Sequence, residues 1–245
     1  MGETEASRAF ASLYRRKVAP ASQTLTVKTI YRGGDTDKYV FELPDGKCIE
    51  TVCIKRRDGA TVCVSTQVGC PVHCKFCESG KNGFVRNLTP SEIVQQVVLL
   101  GRKITRIVYM GMGEPLFNYD NVIQSIHILR DRNGLNFPTD GITLSTTGPL
   151  DRLKRLREEY LKIQFTLSLH ATTQAVRDRL IPGVKNYPID SVVFEHLCVC
   201  RWSRNMYSGG DCLRSPLHFL STFSSSAAMT VRPHWSLLQR SSAQS

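Results

Sequence analysis

The chain has 245 residues, of which 41% are hydrophobic, enough to bury one large core or two small ones. Its formal net charge of +11 favours a polyanionic partner such as nucleic acid, or an anionic surface, over a cationic one. Nine cysteines, an odd number in a chain this long, exclude a small secreted disulfide scaffold and fit a reducing compartment where thiols stay available to metals. No apolar run is long enough to span a bilayer, so no membrane role is expected. No apolar signal region follows Met1, and a cytoplasmic location is the expectation. Arg8, Arg15, Arg16 and Lys17 leave an organellar presequence open, against which Glu3 and Glu5 weigh.

In chain order, residues 6–18 read as a short basic helix stopped by Pro20. Alternating stretches follow at residues 24–31, 38–43 and 49–54, the last two joined by Pro44-Asp45-Gly46. Period-two alternation punctuated by turn residues predicts a small antiparallel sheet. An apolar, β-rich run over residues 60–68 then leads into Gly69-Cys70-Pro71-Val72-His73-Cys74-Lys75-Phe76-Cys77.

Three cysteines at C-x3-C-x2-C spacing can hold three irons of a four-iron cluster and leave the fourth open to a substrate or cofactor. Two blander readings stand beside this one. Cys63 would complete four thiolates for a structural tetrahedral zinc. Alternatively the cysteines are inert, since a free thiol packs well as a small apolar group.

Beyond the cysteine loop the rhythm changes to helix–strand alternation. Thr89-Pro90-Ser91-Glu92 is a capping box with Pro at the first helical position, and Ile93, Val94, Val97, Val98 and Leu100 form the apolar face behind it. Strands are expected at residues 106–110, 142–145 and 163–169. Helices are expected from about residue 120, around Leu150, Leu153 and Leu156, and over residues 173–180. Such alternation predicts a parallel sheet built of βαβ units. Functional groups in parallel barrels collect at the C-terminal ends of strands. The cysteine loop, Gly111-Met112-Gly113-Glu114-Pro115, Ser145-Thr146-Thr147-Gly148 and Ser168-Leu169-His170 each fall at such an end.

From residue 24 to 188 the chain resembles the adenine-C2 RNA methyltransferases of the radical S-adenosylmethionine (SAM) class, the RlmN/Cfr group. The motifs that carry the likeness are Asp45-Gly46 with Ile49-Glu50-Thr51-Val52, and Cys63-Val64-Ser65-Thr66-Gln67-Val68-Gly69-Cys70 running into the cysteine loop with Phe76 before its third cysteine. Gly83-Phe84-Val85-Arg86-Asn87-Leu88-Thr89, the Gly111 and Ser145 loops, and Ser168-Leu169-His170-Ala171 continue it. Pro115 looks more like the housekeeping RlmN branch than the resistance branch.

The resemblance implies a partial parallel (βα) barrel of the radical SAM type, an α/β fold, with a [4Fe–4S] cluster and SAM as cofactors. Cys70, Cys74 and Cys77 would ligate the cluster. Gly113 and Glu114 would meet the SAM amino group, and Ser145, Ser168, Leu169 and His170 would hold the rest of SAM. Glu50 is similar to the family's proton acceptor, and Cys63 to the cysteine that resolves a covalent protein–RNA intermediate. The implied substrate is RNA, ribosomal first and transfer RNA second, with a separate electron donor. The family methylates its own C-terminal cysteine, and a carbon radical on that methyl adds to an adenine taken out of its stack. Lys55, Arg56, Arg57, Lys81, Arg86, Arg102, Lys103 and Arg106 would supply phosphate-binding charge, unless they are simply a solvated face.

After residue 190 the likeness stops, and no family motif surrounds Cys198, Cys200 or Cys212. The reading is therefore of a C-terminus truncated or altered relative to the family, in a form whose activity is in question. Three segments are expected: 1–58 with the helix and small antiparallel sheet, 59–194 as the incomplete barrel, and 195–245 as an irregular, disordered tail rich in serine. Two other functions fit parts of the pattern. One is a non-catalytic basic RNA-binding protein with a structural metal; the other is a radical SAM enzyme acting on something other than RNA.

Overall fold

Alternation over residues 26–56 folds as an antiparallel meander of β1 (Thr26–Gly33), β2 (Thr36–Glu42) and β3 (Cys48–Arg56). These strands belong to a computed structural model that describes residues 25–203, with side chains as far as residue 200. The expected helix over residues 6–18 and the serine-rich stretch around residue 224 lie outside the described residues.

β3 turns into β4 (Gly59–Cys63), and β4 pairs in parallel with β7 (Ile104–Tyr109). β8 (Ile142–Thr146) and β9 (Gln164–Leu167) extend the parallel part. The result is one seven-stranded mixed sheet of order β1-β2-β3-β4-β7-β8-β9, open at both edges among the described residues. The division expected at residue 58 falls inside the β3–β4 hairpin, where Arg56 pairs with Gly59, and the sheet runs through it. Hydrogen bonding between β3 and β4 makes the antiparallel part continuous with the parallel one.

The apolar run over residues 60–68 is split. After Cys63 the chain leaves the large sheet, and β5 (Gln67–Gly69) pairs with β6 (Phe84–Asn87) in a separate two-stranded ribbon that brackets the cysteine loop.

Helices α1 (Pro90–Val98), α2 (Tyr119–Arg130), α3 (Leu150–Glu158) and α5 (Ile189–Ser203) share an apolar core with one face of the sheet. That face carries Ile49, Cys53, Val62, Ile107, Tyr109, Ile142 and Leu144, each fully buried. Burial of one such side chain is worth about 1.5–3 kcal/mol over leaving it in water. Capping starts α1 as expected: Glu92 N donates to Thr89 Oγ1 (3.2 Å) and Thr89 N to Glu92 Oε2 (2.8 Å). The short α4 (Gln174–Leu180) follows β9.

The irregular segment expected from residue 195 is corrected over residues 195–203, which continue α5. Val192, Val193, Cys198 and Val199 are buried there, and the helix packs on α3 and β9. β-Branched residues and cysteines are weak helix formers, so packing rather than propensity stabilises this helix.

Candidate active site

A single row of side chains crosses the whole sheet. Tyr31, Lys38, Val52, Cys63, Val108, Thr143 and Gln164 are successive partners from β1 to β9. Because side chains alternate across a strand, this row lies on the face opposite the helices. The next row, toward the C-terminal ends of the parallel strands, includes the pairs Val40–Glu50 and Ser145–Thr166. Glu50, Cys63 and Ser145, far apart in the chain, thus share one face.

Ser168 Oγ lies 3.0 Å from Ser145 Oγ, and Ser168 N donates to Thr146 O (2.8 Å). Ser65 Oγ donates to Glu50 O (2.5 Å) and accepts from Met112 N (2.9 Å), fixing the loop after β7 against β3. The Glu50 carboxylate is half-exposed and paired with Lys38 Nζ at 3.0 Å, while that ammonium also lies 5.0 Å from the Tyr31 ring centre.

The cysteine loop is held at both ends by backbone. Cys70 N donates to Gly83 O (3.0 Å). Gly69 has φ +76°, and a Cβ there would meet Gly83 O at 1.9 Å, so no other residue fits. From the other side Lys75 N donates to Leu180 O and Gly183 N to Val72 O, both at 2.9 Å. Cys70, Val72, Ile181 and Val184 form a small apolar cluster there, with Cys74, Phe117, Leu180 and Tyr187 against it. The Phe76 ring leans on His170, with centroids 4.6 Å apart, which joins the cysteine loop to the loop after β9.

Burial pushes the Cys70 thiol up to about 11 and the Cys74 thiol up to about 12. Negative charge on Cys77 and Glu114 contributes to both rises, and that on Cys70 to the rise of Cys74. Cys63 differs: burial raises it to about 12, opposed by a backbone hydrogen bond from Met110, and no other cysteine acts on it. A four-thiolate zinc site would need Cys63 to join the three loop cysteines. Among the described residues no three His, Cys, Asp or Glu side chains converge as ligands of a single ion. Three soft thiolates on one loop, spaced to serve one iron each, suit the [4Fe–4S] cluster.

Glu114 is the hub between loops. It is 3% exposed. Its Oε1 accepts from Thr146 Oγ1 (2.6 Å) and Leu116 N (3.1 Å), and its Oε2 from Thr147 N and Oγ1 (both 2.8 Å). Burial raises its pKa, and these four donors oppose the rise. A carboxylate has about four acceptor positions, so an ammonium group meeting Glu114 would compete with donors already in place. Gly113, at φ +104°, lets the chain pass Gln67, whose side chain a Cβ would approach to 2.7 Å.

His170 adopts φ +57°. Partial burial first, and then the positive Arg177, hold its imidazole below the ordinary value. Leu169 contributes its carbonyl, which accepts from Arg177 Nη1 at 3.3 Å. Arg177 is a residue that sequence reasoning missed. It is fully buried and its Nη2 donates to Thr147 O, yet an arginine on a seven-residue helix gives no sign of burial in a one-dimensional pattern.

The proposed phosphate-binding charges separate into two groups. Lys55, Arg56 and Arg57 lie at the β3–β4 turn, and Arg102, Lys103 and Arg106 at the start of β7, at the end of the parallel strands opposite the site. Lys55 and Arg102 pair with the buried Asp37. Nearer the cysteine loop, Lys81 pairs with Glu78 (2.6 Å), and Arg86 grips Glu92 with both terminal nitrogens and Asp45 with Nε. Cys198 and Cys200 belong to α5, and Cys200 Sγ lies 3.9 Å from Phe165 O, on the helix side of the sheet and away from Cys63. Cys212 lies outside the described residues. No helix among the described residues is long and apolar enough to cross a membrane.

Known proteins resemble this chain in sequence and in fold. Residues 64–188 match the model of the radical SAM superfamily. A probable RNA methyltransferase of Rhodopseudomonas palustris is 56% identical over 182 residues, 74% of this chain and 50% of its own length. A probable dual-specificity RNA methyltransferase RlmN of Thermotoga maritima is 44% identical over 194 residues, 78% of this chain and 57% of its own. The chain thus spans about half the length of the curated relatives it matches. The crystal structure of a radical SAM methyltransferase from Sphaerobacter thermophilus superposes with a TM-score of 0.69 at 35% identity, covering 79% of this chain and 60% of that one. The matched superfamily model covers half of the sequence, including the cysteine loop and every strand of the parallel sheet beyond β4, and the chain belongs to the radical SAM superfamily.

Proposed function

We propose that this chain carries the catalytic core of a radical SAM RNA methyltransferase acting at adenine C2, on ribosomal RNA and on transfer RNA as a second substrate. One observation supports this reading above the others. Cysteines 70, 74 and 77 lie in a loop at the C-terminal edge of the sheet whose face opposite the helices carries Glu50, Cys63 and Ser145. When bound, the cluster and SAM supply a 5′-deoxyadenosyl radical, chemistry that no side chain can provide.

The chain's own residues bind, orient and move protons. Cys70, Cys74 and Cys77 would ligate iron as thiolates. Gly113 and Glu114 would face the amino group of SAM, and Ser145, Ser168, Leu169 and His170 the rest of the molecule. Glu50 and Cys63 are diagonal neighbours across β3 and β4, since Cys63 opposes Val52. Such diagonals set side chains about 7–8 Å apart, close enough to act on one base from one side. Glu50 would accept a proton from the adenine. Cys63, a thiol at rest because burial disfavours its thiolate, would help resolve the covalent protein–RNA intermediate once it gives up its proton. The electron needed to activate the cluster comes from a separate donor protein.

Anaerobic reconstitution with iron and sulfide tests the reading. A brown protein with about four irons per chain is expected, together with reductant-dependent cleavage of SAM to 5′-deoxyadenosine. Stoichiometric zinc with no visible band would refute it.

A further inference from the structure

Arg177 is the one arginine among the described residues that is fully buried, and it forms no ion pair there with any carboxylate. Two of its nitrogens are used: Nη1 donates to Leu169 O and Nη2 to Thr147 O. Its Nε is buried without a partner. A guanidinium is costly to bury unless an opposite charge and a full set of acceptors meet it. Two loop carbonyls could be braced by a neutral amide, so bracing alone explains neither the charge nor the idle Nε.

The surroundings show where the missing negative charge belongs. Thr147 accepts from Arg177 on its carbonyl and donates to Glu114 from its N–H and hydroxyl, so Arg177 and Glu114 flank one residue. Glu114 already accepts from four donors and forms no ion pair with Arg177 among the described residues. Asp178, the adjacent acid, accepts from Gln174 Nε2 at 2.6 Å. The C-terminal end of α4 and the turn after it are bonded to the cysteine loop, through Lys75 N to Leu180 O and Gly183 N to Val72 O. Burial opposes the Arg177 charge, and negative charge on Asp178, then Cys74, then Glu114 favours it; of these, Cys74 and Glu114 belong to the site loops. A metal-bound cysteine is a thiolate, so the loop beside Arg177 gains negative charge when its three cysteines engage iron.

We propose that Arg177 is the buried counter-charge of the iron–sulfur site: a positioning residue that braces the loops after β8 and β9 while its positive charge stabilises the more negative, reduced cluster. The inference rests on the cluster reading above. Measuring iron in the unaltered protein tests that reading first and separately.

The test is an EPR-monitored redox titration, without SAM, of the reconstituted full chain and of Arg177→Gln and Arg177→Lys. Loss of the charge in Arg177→Gln should disfavour reduction about tenfold, which for a one-electron couple is a midpoint more negative by about 59 mV. Arg177→Lys keeps the charge and loses the planar fork; its midpoint should stay near the parent value even as its thermal stability falls. If Arg177→Gln cannot retain iron and Arg177→Lys can, the requirement for charge is equally supported. A midpoint unchanged in Arg177→Gln at four irons per chain would overturn the proposal. So would loss of iron from both variants, which would make Arg177 a brace only. A weakened SAM affinity in Arg177→Gln with an unchanged midpoint would overturn it too, assigning the charge to the carboxylate of SAM instead.

Discussion

Thr146 Oγ1 donates to Glu114 Oε1 at 2.6 Å, tying the loop after β7 to the loop after β8 through a buried acid. With Thr147 completing the other oxygen, the relative position of two proposed cofactor loops depends on one carboxylate. In Glu114→Gln an amide N–H would face the Thr147 donors. Hydrogen bonds to a charged group are worth about 1.5–3 kcal/mol. For a domain of this size that predicts a melting point lower by roughly 3–12 °C. A calorimetric melt of the iron-free protein checks it; an unchanged melting point would mean the carboxylate is not the tie.

Cys63 and Cys74 should separate cleanly. No other cysteine acts on Cys63, whereas Cys74 faces Cys70 and Cys77. Cys63→Ala is expected to keep about four irons per chain and its SAM cleavage, and Cys74→Ala to lose both. Iron assay and chromatography of 5′-deoxyadenosine measure this. Equal loss in the two variants would revive a four-thiolate site.

Gly69→Ala should damage cluster assembly without touching a ligand. A side chain at positive φ costs roughly 1–2 kcal/mol, and the new Cβ would press on Gly83 O, the acceptor of the Cys70 amide. Iron retained after reconstitution is expected to fall by more than half, with the circular dichroism of the rest of the fold preserved. Full iron retention would show that the loop tolerates displacement.

Arg86 gives a prediction with a defined sign in pH. Its hydrogen bond holds the Asp45 carboxyl below the ordinary value of 3.8, so the native state favours the ionised form. That contribution is complete above 3.8 and is lost as pH falls through the lowered native value. Arg86→Met should return Asp45 toward its ordinary titration and flatten this part of the acid-unfolding curve. NMR titration of the Asp45 side chain reads the shift directly. The effect is small, because Asp45 is largely in water.

Methyl transfer to RNA by way of Cys198 or Cys200 is expected to fail. The proposed reaction would require a cysteine that carries a methyl group to a fixed position, and fixed placement can account for roughly 7–11 kcal/mol of a barrier. Cys198 and Cys200 are on α5, behind the sheet from Cys63. Incubation with SAM labelled in its methyl group and unmodified RNA should give 5′-deoxyadenosine without label at adenine C2. Label at that carbon would identify a carrier among Cys198, Cys200 and Cys212.

Local chemistry made much of the molecule legible in one dimension. Thr89, Pro90 and Glu92 announce the start of α1 because a capping box needs only four consecutive residues. Strand–helix alternation from β7 to α4 follows from apolar periodicity, and the cysteine loop from spacing. Tertiary structure decided what depends on pairing between distant segments. Register between β3, β4, β7, β8 and β9 put Glu50, Cys63 and Ser145 on one face; a slip of one residue would have sent them to opposite faces. It joined the antiparallel meander to the parallel strands in one sheet, since edge pairing is a contact between backbones and carries no side-chain signature. It also buried Arg177 and saturated Glu114, because hydrogen bonds between loops exist only once the strands beneath them are in register.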